Sequence, residues 1–249
     1  MIYIKKGPPH RNVALKVAEI KRDPKWKAIP LTRPTDPQAQ SGYGSTLRTN
    51  YFDQLPKKEI RSTLLREQHY LCAYCMRKLS SENSVIIEHW FPLSEARDTA
   101  IDPQNFLGSC DGIYSEGQER RSCCDDKKGG SRITLDPRKE WMMDCINYEK
   151  NGTVYFDAPT GMTDQQKQDI ENDINNVLCL NGKESELTIG RERVYHSSIK
   201  MLEKLRLKNR CSVTAVQKLI QNIENKEQYP EYAGVMLFYY KRWLKNHMP

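Results

Sequence analysis

No stretch of this chain stays apolar for long. The run over residues 234–240 is the longest late candidate, and it falls far short of the roughly 18 apolar residues a membrane helix needs. The first nine residues, Met1-Ile2-Tyr3-Ile4-Lys5-Lys6-Gly7-Pro8-Pro9, hold no apolar core of a secretory signal. No internal repeat and no low-complexity tract stands out, which removes solenoid and fibrous architectures. Without a secretion signal, the eight cysteines are not expected to pair as four disulfides. A reducing, cytoplasmic compartment is expected, and clustered thiols there read as metal ligands.

What the chain does have is charge. Charged residues make up 29% and apolar residues 38% of 249, which fits a folded chain with modest cores. That length accommodates one compact core plus an appendage. The net charge of +7 favours a polyanionic partner without requiring one.

An α+β fold in three parts is expected. Residues 1–55 carry prolines at 8, 9, 24, 30, 34 and 37, which block long helices. An irregular, extended arm follows from this, with one short helix over 12–21. Its polar 30–50 tract reads either as an extended arm lying on a partner or on its own domain, or as a flexible linker. In residues 56–160, Pro56 opens a helix with an apolar stripe of Ile60, Leu64, Leu65 and Leu71. A strand is expected over 85–89, polar loops over 92–104 and 112–122, and a brief helix from Cys124 that Gly129-Gly130 ends. Asn151-Gly152 reads as a type I′ turn in a hairpin over 148–156. Residues 161–249 read as helices. Thr163 and Gln166 form a capping box, and Ile170, Ile174, Val177 and Leu178 form the face behind it. Further helices are expected over 184–209, 213–225 and 231–246.

The middle segment carries the chemistry. Cys72-Ala73-Tyr74-Cys75 is a Cys-x-x-Cys pair; Cys110 follows Cys75 by 35 positions, and Cys124 lies another 14 on. Zinc tolerates wide gaps between its ligand pairs, so Cys72, Cys75, Cys110 and Cys124 are read as one tetrahedral site. Cys123 competes with Cys124 for the fourth place. Cys145, Cys179 and Cys211 sit in apolar patterns and read as inert core residues. The strand ends in Glu88-His89. Imidazole is a base at neutral pH, and carboxylate oxygens suit magnesium or manganese. Asn105 could orient the imidazole, and Asp125 could give the same cation a second carboxylate. Side chains alternate along a strand, so Glu88 and His89 share a site only if the strand ends or twists there.

In that order, Cys72-Ala73-Tyr74-Cys75, Glu88-His89, Asn105 with Cys110, and Cys124-Asp125-Asp126-Lys127-Lys128 resemble the zinc-bearing HNH endonucleases with their ββα-metal core. The resemblance implies His89 as general base, Asn105 as its orienting partner, Glu88 and Asp125 on one Mg²⁺ or Mn²⁺, and four cysteines on a structural Zn²⁺. Asp125 stands where that family carries a last His or Asn. A looser likeness covers the whole chain. It is to the HNH subunit of retron and Septu anti-phage systems, which implies an ABC/OLD-type ATPase partner and, in retrons, a reverse transcriptase with its msDNA. The implied substrate is DNA or RNA, host tRNA among the possibilities, with no membrane partner. Lys128, Lys127 and Arg121 are candidates for substrate phosphates, with Arg120 and Arg132 beside them. The C-terminal run of Tyr239, Tyr240, Arg242 and Trp243 could stack bases or pack a helix. The competing readings are a non-catalytic zinc-finger adaptor and a thiol redox protein.

Overall fold

The computed structural model describes the chain except residues 117, 118, 183, 184, 209 and 249, with side chains left aside at 114–116, 119 and 120. It is α+β, with short antiparallel strand pairs set among helices.

The first 55 residues are not an extended arm. They form α1 (Arg11–Arg22), α2 (Pro24–Ala28), α3 (Pro37–Gln40) and α4 (Tyr43–Asn50). The prolines that argued against helices start two of them. Pro24 and Pro37 sit at the first helical turn, where a missing N–H costs nothing, and Asp23 and Asp36 cap the helices from in front. Met1, Ile4, Val13, Ile20, Trp26, Tyr43, Leu47, Tyr51, Phe52 and Leu55 are buried in the same apolar cluster as the rest of the chain. The 30–50 tract is fastened along the way. Arg33 N donates to Glu95 O and Arg97 N to Leu31 O, both at 2.9 Å, and the Arg97 guanidinium lies 5.4 Å from the Trp26 ring.

Helix α5 (Lys57–Glu67) buries Ile60, Leu64 and Leu65 as its spacing requires. It delivers the chain into a tight turn at Cys72–Cys75. Cys72 N bonds Arg77 O at 2.9 Å, and Met76 takes a left-handed backbone (φ 65°) to close the turn. Strands β1 (Ile86–His89) and β2 (Phe106–Ser109) pair antiparallel, with Glu88 opposite Leu107 and His89 opposite Phe106. Gln68 ties the knuckle to this pair. Its side chain bonds both N and O of Gly108, and also Leu71 O. The predicted polar loop over 112–122 is instead a hairpin, β3 (Ile113–Glu116) with β4 (Glu119–Ser122). Helix α6 (Cys124–Lys128) follows and stops at Gly129 (φ 52°).

Beyond α7 (Glu140–Asp144), strands β5 (Ile146–Tyr148) and β6 (Val154–Phe156) make the predicted hairpin. Its turn differs from type I′, because only Gly152 has positive φ. Glycine is required there for a second reason: a Cβ would fall 2.0 Å from Thr188 O. Helix α8 (Asp164–Asn172) starts at the expected Thr163–Gln166 capping box. Helices α9 (Glu186–Leu207), α10 (Val213–Glu224) and α11 (Ala233–His247) complete the chain; the predicted α9 limits at 184 and 209 lie outside the described residues. Arg191 of α9 is buried, and its guanidinium donates to the carbonyls of Gly152 and Leu180. Tyr239 and Tyr240 are packed inside, so that part of the C-terminal run is core rather than a stacking face. Cys145, Cys179 and Cys211 are half-buried rather than core. Among the described residues, no helix is long and apolar enough to cross a membrane.

Candidate metal centre and active site

Cys72, Cys75, Cys110 and Cys124 come together from three separate segments, all buried, with their sulfurs within 4.8 Å of one another. The closest pairs are Cys72–Cys124 at 3.8 Å and Cys75–Cys110 at 3.7 Å. A tetrahedral zinc with bonds near 2.3 Å separates its sulfurs by about 3.8 Å, so the set fits that ion. The surroundings fit thiolates as well. Cys110 N donates to Cys72 Sγ, Arg77 N to Cys75 Sγ, and the Arg77 guanidinium to Cys110 Sγ at 3.0 Å. Cys123, the rival for the fourth place, is buried next door but is not one of the four. No protein-family model matches this chain, and no curated protein does.

The second centre starts one residue from a zinc ligand. Tyr74 is buried, and its hydroxyl donates to Glu88 Oε1 at 3.2 Å. Lys128, at the end of α6, reaches the same oxygen at 2.7 Å and donates to His89 O at 3.0 Å. Asp125 lies three residues earlier on the same helix face and hydrogen-bonds Glu88 as well. Its backbone N–H is fixed by Ser109 Oγ of β2. Burial first, and then the bond with Asp125, push the Glu88 carboxyl up to about 9 against the pull of Lys128. Two neighbouring carboxyl groups, one of them buried, are donors of the type a hard cation prefers.

His89 leaves β1 on the other side, as strand alternation demands. The expected twist that would bring it beside Glu88 is not what links them; the link is Lys128, bonded to the His89 carbonyl and the Glu88 carboxylate. The imidazole lies edge-to-face on Phe52 (4.6 Å) and Phe106 (4.9 Å), and Nε2 contacts Ala100 O at 3.0 Å. A carbonyl only accepts, so Nε2 carries the proton and Nδ1 keeps its lone pair. Burial, followed in size by nearby Arg48, Lys57 and Lys128 after the opposing Ala100 bond, holds the imidazole down to about 4. It is therefore a neutral base at pH 7.

Asn105 makes no hydrogen bond to the imidazole. Its amide donates to Phe91 O (2.8 Å) and Thr99 O (3.0 Å) and accepts from Phe91 N (2.8 Å). It pins both ends of the loop whose Ala100 carbonyl meets His89, so it orients the ring through the backbone. Lys128 is not a surface phosphate contact. Its side chain is 0% exposed. The short α6 turns it inward together with Asp125. Lys127 and Arg121 are exposed, and Arg132 pairs with Glu95 at 2.6 Å. The Arg120 side chain lies outside the described residues. Sequence reasoning missed Tyr74, Arg77, Gln68 and Phe52. Tyr74 sits inside the Cys-x-x-Cys pair, so it could have been found from spacing. Nothing local marks Phe52 as a wall of the site.

Proposed function

We propose that this chain is a zinc-stapled, metal-dependent endonuclease of the HNH kind that hydrolyses phosphodiester bonds. One observation carries the reading. A strand-end histidine with Nδ1 free to accept a proton is joined, through one buried lysine, to a pair of touching carboxylates. The order of strand, strand and short helix around them supports it.

In this reading His89 Nδ1 takes a proton from the attacking water, and the Ala100 carbonyl steadies the imidazolium that results through Nε2. Asn105 holds the loop that supplies this carbonyl. Tyr74 and Lys128 fix one oxygen of Glu88; its other oxygen and Asp125 would hold the cation. A magnesium or manganese ion there supplies positive charge to the phosphate and to the leaving oxygen. The thiolate cluster takes no part in the reaction and holds Tyr74 and α6 in place. By resemblance, the physiological setting we propose is a bacterial anti-phage complex with an ABC/OLD-type ATPase and, in retrons, a reverse transcriptase with its msDNA.

The Lys128–Glu88 contact is the one observation that favours a non-catalytic zinc-finger adaptor, since it occupies a Glu88 oxygen without an ion. The test is cleavage of a mixed DNA and RNA panel in Mn²⁺ by the wild type and His89→Ala, each alone and with the ATPase partner. Cleavage by the wild type that His89→Ala lowers by at least about a hundredfold is expected. Equal cutting by both, or by neither in the presence of the partner, overturns the proposal.

A further inference from the structure

Phosphate recognition was expected from α6, yet Lys128 is spent inside the protein on Glu88 and His89. A different set of cations faces His89. Lys57, at the start of α5, donates to Phe52 O, and its ammonium lies 2.8 Å from the centroid of the Phe52 ring. That same ring packs against the His89 imidazole at 4.6 Å. One aromatic ring therefore separates an ammonium from the base. Arg48 of α4 and Arg61, one turn along α5, lie close enough to add to burial in holding the Lys57 ammonium down to about 7. Arg48 and Lys57 both act on His89.

Little balances this charge. Among the described residues, the carboxylate paired with any of the three is Asp53, 3.6 Å from Lys57. The buried Nε of Arg61 has no hydrogen-bond partner. An unsatisfied buried donor is costly, more so when charged, so native structures rarely leave one without use. The other such atom, Arg77 Nε, belongs to a guanidinium already committed to thiolates.

We infer that Arg48, Lys57 and Arg61 form a subsite for a phosphodiester oxyanion of a bound nucleic-acid strand, behind Phe52 as seen from His89. The inference rests on the nuclease reading, since it takes the phosphate next to the one cleaved. Guanidinium N–H groups pair with phosphate oxygens in two-point fashion, and the ammonium adds a point charge. The segment that read as a docking arm thereby supplies one wall of the substrate channel.

The test is fluorescence anisotropy of labelled single-stranded DNA and RNA oligonucleotides with the full zinc-loaded chain, without added catalytic metal, over a salt series. Arg48→Gln, Lys57→Gln and Arg61→Gln are compared with Lys57→Arg and with Lys200→Gln, a remote exposed charge on α9. Each of the first three is expected to weaken binding about tenfold and to flatten the log–log salt slope by about 0.7. Lys57→Arg is expected to keep most of the affinity, and Lys200→Gln all of it. Wild-type affinity and slope in the three variants overturn the subsite. So does an equal loss in Lys200→Gln, or a wild type that binds neither strand. Should Arg61→Gln unfold, Arg48→Gln and Lys57→Gln decide the matter. Loss of binding in the variants without cleavage by the wild type keeps the subsite and removes the nuclease. Cleavage by the wild type with undisturbed variants does the reverse.

Discussion

Two clusters of acidic groups lie side by side in this chain, and they are completed to different degrees. The four sulfurs of Cys72, Cys75, Cys110 and Cys124 have the spacing of a tetrahedron, and N–H donors and the Arg77 guanidinium surround them. A zinc ion there would have no ligand position left, which is the mark of a structural site. Glu88 and Asp125 are held from one side by Tyr74 and Lys128, and Asp125 is partly open to solvent. Glu88 is driven far from its ordinary carboxyl range. A shell that is closed contributes to folding, whereas an unbalanced one stores the capacity to bind and react.

The most severe test of this contrast is Cys72→Ser. Structural zinc sites carry apparent binding energies on the order of 10 kcal/mol, so loss of the cooperative thermal transition and of about one zinc per chain is expected. Calorimetry and elemental analysis check it, and an unchanged midpoint breaks the comparison. The second test sets Lys128→Met against Asp125→Asn. Removing Lys128 leaves Glu88 buried without its cation and should cost up to about 3 kcal/mol in urea unfolding, softened by protonation of Glu88. Removing the Asp125 charge relieves a carboxylate contact, so stability should hold or rise while Mn²⁺-dependent cleavage disappears. A destabilised Asp125→Asn would place the carboxylates among the structural elements.

The smallest effect concerns Lys57. Its ammonium, held down first by burial and then by Arg48 and Arg61 against the pull of Asp53, titrates near 7 in the folded chain against about 10.5 when unfolded. Between those values the unfolded chain holds more protons, so stability rises with pH across about 7 to 10.5. Below 7 both states are protonated and the penalty is constant. Pulse proteolysis of the wild type and Lys57→Met over this range should show a steeper rise for the wild type; parallel curves would mean that neither burial nor the neighbouring guanidiniums hold the ammonium down.

The cluster of Cys72, Cys75, Cys110 and Cys124 was legible in the sequence, because a Cys-x-x-Cys pair and two later cysteines read together as one metal-binding set. Helices α5 and α6 and the capping box at Thr163 were legible too, where local spacing and caps decide the structure. Of the first 55 residues only the helix over 12–21 was read correctly; the rest was misread, since prolines were counted as breakers where Asp23-Pro24 and Asp36-Pro37 make them helix starts. Asn105 and Lys128 were found but given the wrong contacts. Both act through backbone carbonyls that only the folded loop brings within reach. Phe52 was invisible because its role depends on a partner 37 positions away.

The turn that carries two zinc ligands also carries Tyr74, so one four-residue loop serves both centres. Anyone transplanting the β1–β2 pair into another scaffold would have to bring this loop with it. Trimming the graft to strands and helix alone would leave Glu88 without one of its two anchors. The staple and the workshop are cut from the same piece of chain, and neither can be exchanged as a module.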